Sequence, residues 1–208
     1  MKSNFSKGKF IVCEGGEGCG KTTQIDLLKN KYKNSPNIIF TREPGGTEIS
    51  DQIRNIITTG NSNKILPETE LALIYAARYE HIHKLILPAL NSGKTVVCDR
   101  FLLSTLVYQG VARGVSLAYI NMFNNLFLQN LQPDFTLLFD LDINIAKKRI
   151  KQRNISNERF EKFPDDFHEK IRQGYLTYAK NNNNIAIIDA TKSPEKIHEL
   201  VCYQLENF

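Results

Sequence analysis

The chain has 208 residues, 41% of them hydrophobic, and its 27 Lys and Arg against 22 Asp and Glu give a formal net charge of +5. This length and apolar content allow one domain with a sizeable core or at most two small ones, and we favour a single domain over residues 1–208. The small positive excess suits an anionic ligand as well as an ordinary basic surface. Because the sequence has no clustered basic stripe, it does not favour nucleic-acid binding.

Secretion and membrane insertion are disfavoured. The first residues, MKSNFSKGK, are charged but lack the apolar stretch of a secretion signal, and no run of 18 apolar residues occurs. The cysteines, Cys13, Cys19, Cys98 and Cys202, have no metal-ligand spacing, and we interpret them as buried reduced thiols. We therefore expect a cytoplasmic protein with no membrane and no nucleic-acid partner.

The first predicted strand, residues 9–13, leads into the sequence GGEGCGKT at residues 15–22. This is a complete G-x-x-x-x-G-K-[ST] phosphate loop between an apolar strand and a helix-compatible stretch, which is the context that the motif requires. Its glycines let backbone N–H groups turn toward the phosphates of ATP, and the positive end of the next helix points at the same anion. Lys21 adds a point charge, and Thr22 offers a hydroxyl to Mg²⁺. The predicted ATP-binding residues are Gly15, Gly16, Glu17, Gly18, Cys19, Gly20, Lys21, Thr22 and Thr23.

Short apolar runs alternate with helical patterns along the rest of the chain. This alternation predicts an α/β fold of the P-loop three-layer type, in which helices flank a five-stranded parallel sheet and ligands bind at the carboxyl ends of the strands. The further strands are predicted at residues 38–40, 95–98, 135–139 and 185–188. The helices are predicted at residues 22–33, 48–58, 67–91, 102–112, 116–131, 143–153, 164–180 and 194–205.

Polar motifs follow two of these strands. Asp99 and Arg100 come directly after the third strand, where a carboxylate can orient Mg²⁺ and an arginine can grip a phosphoryl group. The sequence TREPGGT at residues 41–47 follows the second strand, and its Pro-Gly-Gly turn favours a substrate contact over a plain connector.

The polar segment at residues 154–164, NISNERFEKFP, lies between two predicted helices. A surface loop and a mobile lid that closes over phosphates both fit this composition. We place the predicted lid at about residues 149–164.

Several motifs together resemble the thymidylate kinase family. They are GGEGCGKTT at the phosphate loop, TREPGGTE, YAARYEH at residues 75–81, CDRFLLSTLVYQGVARG at residues 98–114 and PDFTLLFDLD at residues 133–142. They occur in the family's order and spacing over nearly the whole chain, and TREPGG with DR and YQG is far more specific than the phosphate loop alone. The resemblance implies transfer of the γ-phosphoryl group of ATP to dTMP, giving dTDP and ADP.

The resemblance also implies roles for individual residues. Arg78 would contact thymine, Gln109 would face the polar edge of the base, and Tyr108 would lie against the sugar and disfavour a 2′-hydroxyl. Arg54 and Arg100 would hold the acceptor phosphate. The implied substrate-binding set is Glu43, Pro44, Arg54, Ile74, Arg78, Arg100, Ser104, Thr105, Tyr108 and Gln109; the catalytic set is Glu14, Lys21, Asp99, Arg100 and Arg153; and the metal set is Thr22 and Asp99.

The family divides by whether its extra catalytic arginine lies in the phosphate loop or in the lid. The phosphate loop here has no basic residue at its variable positions, and the lid side holds Arg149, Arg153 and Arg159. The resemblance therefore implies the lid-arginine type common in bacteria, with Arg153 favoured as the catalytic arginine and Arg159 next. The chain departs from the family's pattern at one position. Ile74 stands where many relatives have a phenylalanine that stacks on thymine. Dispersion against Ile74, or partial substitution by Tyr75 or Phe101, are the open alternatives.

Other hypotheses remain at this point. A kinase of dUMP or of a nucleoside would share the fold, and a nucleic-acid-stimulated ATPase would fit the pI of about 8.9.

The apolar stripe of the middle helix at residues 116–131 is core by default, but part of it fits a dimer face, and we expect a homodimer. His81 and His83 do not share a helix face and are interpreted as ordinary polar helix positions.

Overall fold

The computed structural model describes residues 8–59, 65–152 and 159–208. A parallel sheet lies at its centre, with strands β1 (Phe10–Gly15), β2 (Ile38–Arg42), β3 (Thr95–Asp99), β4 (Phe135–Asp140) and β5 (Ile185–Asp189). The order across this five-stranded sheet is β2-β3-β1-β4-β5, so β1 is central and pairs with β3 and β4. The predicted α/β fold with a five-stranded parallel sheet is confirmed.

The central strands are buried because helices cover both faces of the sheet. All of β1 is buried, and its side chains alternate between two core clusters, with Ile11 and Cys13 in one and Phe10 and Val12 in the other. The continuous apolar run of β1 therefore serves both faces of the sheet.

Helices of the described residues are α1 (Lys21–Lys31), α2 (Glu48–Thr58), α3 (Pro67–His81), α4 (Leu87–Asn91), α5 (Leu102–Thr105), α6 (Leu117–Phe127), α7 (Ile143–Gln152), α8 (Asp165–Lys180) and α9 (Pro194–Glu206). Leu28 of α1 and Val201 of α9 belong to the cluster on one face of the sheet, and Ala89 of α4 belongs to the cluster on the other. A short 3₁₀ turn, Arg159–Lys162, precedes α8.

Two predicted helices, residues 67–91 and 102–112, contain π-helical stretches at Ile82–Ile86 and Leu106–Ala112. Pro88 then falls in the first turn of α4, where its missing N–H removes no required hydrogen bond. Such wider turns often occur at functional sites, and the second of them carries Tyr108 and Gln109. The predicted helix extents are correct within a few residues, but the helix type in these turns is not.

Within the described ranges, no helix combines the length and the apolar character that crossing a lipid bilayer requires. The strands all point the same way, so the residues that follow β1, β2 and β3 meet at one edge of the sheet. That edge holds the phosphate loop, the Pro-Gly-Gly turn and the Asp-Arg pair.

Candidate active site

The phosphate loop joins β1 to α1 and depends on glycine at several positions. Gly18 has φ +73°, and a Cβ there would lie 2.8 Å from the carbonyl oxygen of Ala146 on α7. Gly20, with φ +93°, precedes α1, and no described side chain caps the first-turn N–H groups of that helix. Uncapped N–H groups and the helix dipole together favour an anion at this point.

Lys21 lies at the end of the phosphate loop, and only 6% of its surface is exposed. Its Nζ donates hydrogen bonds to the carbonyl oxygens of Gly15 (2.8 Å) and Gly16 (3.0 Å). In this arrangement the ammonium group lies at the base of the loop, within reach of a phosphate bound by the loop's backbone.

A cleft lies beside the phosphate loop. The structure brings together in this cleft every residue of the predicted substrate-binding set. Those residues are Glu43, Pro44, Arg54, Ile74, Arg78, Arg100, Ser104, Thr105, Tyr108 and Gln109. We call it the acceptor cleft. Phe101, one of the alternatives for the thymine face, also lines it, together with Glu17, Ile57, Thr58 and Phe160, which were not predicted as substrate-binding residues.

Arg78 is held in the acceptor cleft by a buried ion pair. Its Nε donates to Glu43 Oε2 (2.6 Å), and Glu43 Oε1 is 3.0 Å from His81 Nδ1. Burial would raise the pKa of Glu43, but Arg78 and His81 outweigh that effect and hold this pKa below its usual value. Arg78 Nη1 is buried with no hydrogen-bond partner among the described residues, so this donor is available to a ligand in the cleft.

His81 contributes to this network, contrary to its interpretation as an ordinary polar helix position. It is fully buried, and its Nε2 is 2.7 Å from Thr41 Oγ1 of β2 while its Nδ1 faces Glu43. His81 therefore ties β2, the turn after it and α3 together. The sequence does contain a sign that His81 lies near the cleft. It is three residues after Arg78 and so lies on the same side of α3.

Arg100 adopts φ +68° and directs its guanidinium toward the phosphate loop. Its Nη2 is 2.7 Å from Glu17 Oε1, its Nη1 donates to Gly15 O (2.9 Å), and its Cζ lies 4.9 Å from the centre of the Tyr108 ring. Tyr108 also donates its hydroxyl to Glu17 Oε1 (2.9 Å). The side chain of Glu17 therefore faces the acceptor cleft, whereas the sequence placed Glu17 with the ATP-binding residues.

Glu14, which the resemblance places in the catalytic set, is buried beside the start of α5. It is 1% exposed and accepts hydrogen bonds from the N–H groups of Phe101 (2.9 Å) and Ser104 (3.1 Å), from Ser104 Oγ (2.6 Å) and from Tyr175 (3.0 Å). Burial is the largest influence on the pKa of Glu14 and raises it. Since both of its carboxylate oxygens are engaged, Glu14 anchors the start of α5 beneath the acceptor cleft.

The predicted metal residues fit Mg²⁺ in kind. Thr22 and Asp99 line a common cleft at the end of β3, and Asp99 Oδ1 is buried with no hydrogen-bond partner among the described residues. No group of three or more His, Cys, Asp or Glu that could hold a metal occurs within the described ranges. One hydroxyl and one carboxylate are the protein ligands expected where phosphate oxygens and water supply the rest.

Of the arginines considered for the lid, Arg153, the favoured catalytic residue, lies outside the described residues. Arg159 is fully buried, and its Nη1 donates to Glu70 Oε2 and to the carbonyl oxygen of Ile57 (3.2 Å). In this arrangement Arg159 therefore pairs with Glu70 behind the acceptor cleft.

Ile74, Tyr75 and Phe101 are the residues that could pack against the face of thymine. Ile74 and Phe101 both line the acceptor cleft, and Phe101 also lies under the guanidinium of Arg78, 5.0 Å from its Cζ. Tyr75 instead packs against Phe123 (5.1 Å between ring centres) on α6. Dispersion against Ile74 and partial substitution by Phe101 remain compatible with the structure, whereas Tyr75 is not among the described residues that line the cleft.

Glu70 is a further residue that the sequence did not single out. It is fully buried, and its Oε1 accepts a hydrogen bond from Gln109 Nε2 (2.8 Å). Glu70, Ile74 and Arg78 are spaced four residues apart, so they share one face of α3. That spacing was a usable signal once Arg78 was assigned to the substrate.

A phosphate loop at a helix N-terminus, an arginine-lined acceptor cleft beside it and a carboxylate at the end of the adjacent strand define a P-loop kinase of small phosphorylated molecules. The family model for thymidylate kinase matches residues 13–201. The chain belongs to the thymidylate kinase family.

Similar proteins match nearly the full length of the chain. A thymidylate kinase of Pelobacter propionicus is 40% identical over 95% of this chain and 94% of its own length. One of Ligilactobacillus salivarius is 41% identical over 97% of this chain and 99% of its own. A crystal structure of thymidylate kinase from Ehrlichia chaffeensis has a TM-score of 0.78 and 30% identity, covering 96% of this chain and 99% of that one.

Proposed function

We propose that this protein transfers the γ-phosphoryl group of ATP to the 5′-phosphate of dTMP, giving dTDP and ADP, with Mg²⁺ bound at the phosphates. The observation that carries the proposal is the buried, unpartnered Nη1 of Arg78 in a cleft directly beside the phosphate loop. An unpaired buried cationic donor is costly unless a ligand accepts from it. A nucleobase carbonyl is such an acceptor.

The polar groups in the acceptor cleft match the edge of thymine. Arg78 only donates hydrogen bonds, which suits O4 of thymine. Gln109 donates its Nε2 to Glu70, so its Oε1 is the amide atom left to accept from N3–H. Cytosine has an amino donor and a bare N3 at these two places, so both contacts would be lost. A lone methyl group is worth only about 1–3 kcal/mol, and discrimination against dUMP should be modest.

The remaining predicted residues would bind the sugar and the acceptor phosphate. Tyr108, buried and held by Glu17, lies where it would disfavour a ribose 2′-hydroxyl. Arg54 and Arg100 line the cleft on the side of the turn after β2 and of the phosphate loop, where they would hold the acceptor phosphate. Two anions must approach within about 3–3.5 Å for transfer, and these cations reduce their repulsion.

The donor phosphates would be held by the backbone of the loop and by Lys21. Thr22 and Asp99 would hold Mg²⁺ together with phosphate oxygens, and the ion supplies charge neutralisation when it is bound. Because the acceptor phosphate is already ionised near neutral pH, no strong general base is needed. The reaction then depends on positioning and on the electrostatic stabilisation of transferring oxygens.

The role of Arg153 and the extent of the lid are proposed from the sequence alone. Arg153 would close over the transferring phosphoryl group as the lid arginine, a role worth about 10³–10⁵ in rate in phosphoryl transfer. The lid would comprise about residues 149–164, within a single domain.

A homodimer is supported by an exposed apolar face of α6. Tyr119, Met122 and Leu126 share one side of α6 and are 54%, 55% and 66% exposed, and Tyr79 of the adjacent α3 is 40% exposed. Contiguous apolar side chains of this size commonly mark protein interfaces. We propose this face of α6 as the dimer contact.

The test is a panel of nucleoside monophosphates with Mg-ATP and the purified chain. We expect rapid formation of dTDP, slower conversion of dUMP and little turnover of dCMP or dGMP. If dTMP were converted no better than dCMP or dGMP, the assignment of the acceptor would be wrong. If ATP hydrolysis rose with added DNA or RNA and no diphosphate formed, the protein would be a nucleic-acid-stimulated ATPase.

A further inference from the structure

Glu70 lies in the first turn of α3 behind the acceptor cleft and is not among the described residues that line it. Three donors converge on its carboxylate. Gln109 Nε2 donates to Oε1 (2.8 Å), Arg159 Nη1 donates to Oε2, and Arg113 Nη2 lies 3.6 Å from Oε2. Glu70 and Arg159 are both 0% exposed, so no water competes for these contacts.

The charge of this cluster decides the orientation of the Gln109 amide. A carboxylate between two guanidinium groups is charged, and a charged carboxylate can only accept hydrogen bonds. The amide has nearly the same shape in either orientation, so packing alone does not select one. Because Glu70 cannot donate, Gln109 must turn its NH₂ toward Glu70 and its oxygen away from it.

Arg159 links the cluster to the rest of the cleft wall. Its Nη1 also donates to the carbonyl oxygen of Ile57 on α2 (3.2 Å), and its Cζ lies 5.2 Å from the centre of the Phe160 ring. Phe160 lines the acceptor cleft and meets the edge of Tyr108 at 5.6 Å between ring centres. Glu70 is thus held by groups from the second π-helical stretch and the 3₁₀ turn before α8, and this turn is itself bonded to α2.

We propose that Glu70 is a positioning residue for base specificity, which fixes the Gln109 amide with its oxygen toward the acceptor base while Arg159 holds Glu70 in place. The inference rests on the proposed function, because it concerns how the same cleft separates thymine from cytosine. An amide fixed in this way accepts from N3–H of thymine and repels the bare N3 of cytosine. Released from Glu70, the amide can turn over and donate to cytosine N3 instead.

The experiment compares kcat/KM for dTMP and for dCMP with saturating Mg-ATP in the full chain. The Glu70→Gln variant keeps the size of the side chain but lets position 70 donate. We expect the ratio of the two kcat/KM values to fall about tenfold, the worth of one net hydrogen bond. KM for dTMP should rise while KM for ATP stays unchanged, since the phosphate loop is not in contact with Glu70.

A second pair of variants separates positioning from a general structural effect. Gln109→Leu removes the amide, and we expect it to lower the ratio at least as much as Glu70→Gln. In the Gln109→Leu background, Glu70→Gln should lower the ratio no further. A further fall in that background, or an equal loss of turnover for both nucleotides with the ratio intact, would overturn the inference.

Stability is addressed by a charge-balanced variant and two controls. Glu70→Gln leaves the Arg159 guanidinium buried without its partner charge, so the pair Glu70→Gln with Arg159→Met is tested beside it. That pair should fold and should show the same loss of selectivity; failure of both to fold would make Glu70 a structural residue and remove the inference.

Arg159→Lys is the first control, because it keeps a cation opposite Glu70 and should retain the ratio. Glu80→Gln changes a half-buried carboxylate of α3 that pairs with Lys84 (2.7 Å), outside the cluster, and should leave the ratio unchanged.

The two proposals fail in different ways. If the unchanged chain does not phosphorylate dTMP, the proposed function falls. If the unchanged chain prefers dTMP to dCMP and the Glu70 variants keep that preference, the inference alone falls.

Discussion

The donor and acceptor sides of this active site are built differently. The phosphate loop is one contiguous stretch whose binding groups are backbone N–H groups and the charge of Lys21. The acceptor cleft is made by side chains from α2, α3, the turn after β2 and the second π-helical stretch, held by buried charges. A local backbone motif can be recognised from a short sequence, whereas the acceptor cleft depends on contacts between residues far apart in the chain.

The largest expected effect tests the donor side alone. Lys21→Ala removes the point charge at the base of the loop, and we expect kcat to fall about 10³-fold, as when one donor to the transferring oxygens is lost. Binding of dTMP, measured by calorimetry, should be almost unchanged because the acceptor cleft is intact. Lys29→Ala on the same helix, where the ammonium forms an exposed pair with Asp26, is the control. A comparable loss of dTMP affinity in Lys21→Ala would show that the two sides are not separable.

The next effect tests the buried charges of the acceptor side. Arg78→Met removes the base contact and leaves Glu43 buried without its cation, so we expect kcat/KM for dTMP to fall about 100-fold, as for loss of a hydrogen bond to a charged group. The free energy of unfolding should fall by about 3–5 kcal/mol. Adding Glu43→Gln should recover part of the stability and none of the activity. Recovery of both would mean that Arg78 acts only on the fold.

His81 tests whether a residue behind the cleft acts through its neighbours. His81→Leu removes the Nδ1 contact with Glu43 and the Nε2 contact with Thr41. We expect KM for dTMP to rise about tenfold, equivalent to one net hydrogen bond, with kcat nearly unchanged. His198→Gln on α9, remote from the cleft, is the control. Steady-state kinetics over a range of dTMP concentrations gives both constants, and a fall in kcat alone would contradict this role.

A smaller effect is expected where the chain departs from its relatives. Ile74→Phe would place an aromatic ring in the acceptor cleft, and base stacking should lower KM for dTMP about fivefold, the lower end of what such contacts contribute. Ile74 is 7% exposed, so the larger ring costs some stability through crowding. Thermal unfolding measures that cost, with Ile74→Leu as a volume-matched control. An unchanged or higher KM would indicate that the base does not lie against position 74.

The smallest effect concerns pH. The pKa of Glu43 is lowered in the folded protein, so the stability it contributes is present above its ordinary value of 4.5 and is lost as pH falls through the lower folded value. We expect the unfolding free energy of the unchanged chain to fall more steeply below pH 4.5 than that of Glu43→Gln. Denaturant unfolding at a series of acidic pH values gives both slopes. Parallel slopes would show that the pair with Arg78 does not stabilise the charged carboxylate.

Prediction from the sequence worked best where a motif is contiguous or where a resemblance names single positions. The strands fall where they were expected, and the residues predicted to bind the substrate line one cleft. The sequence did not show the burial of Glu14 and His81 or the contact of Glu17 with Arg100, because the patterns do not say which polar side chain faces a ligand and which one faces the core. Glu14 and His81 are buried by elements more than 30 residues away in the chain, as the separations of Glu14 from Ser104 (90) and of His81 from Glu43 (38) show.

The order of residues along the chain was sufficient to establish the P-loop fold and the family, and it predicts the loop that would hold the donor phosphates. These follow from local hydrophobic periodicity and from glycines at φ values that other residues rarely adopt. The three-dimensional arrangement assigned the charged side chains of the acceptor cleft to their partners. It placed Arg159 and Glu70 together across 89 residues and turned Glu17 toward Arg100. Buried charges are satisfied by whichever opposite charge the packed helices bring near, and that pairing is a property of the assembled core.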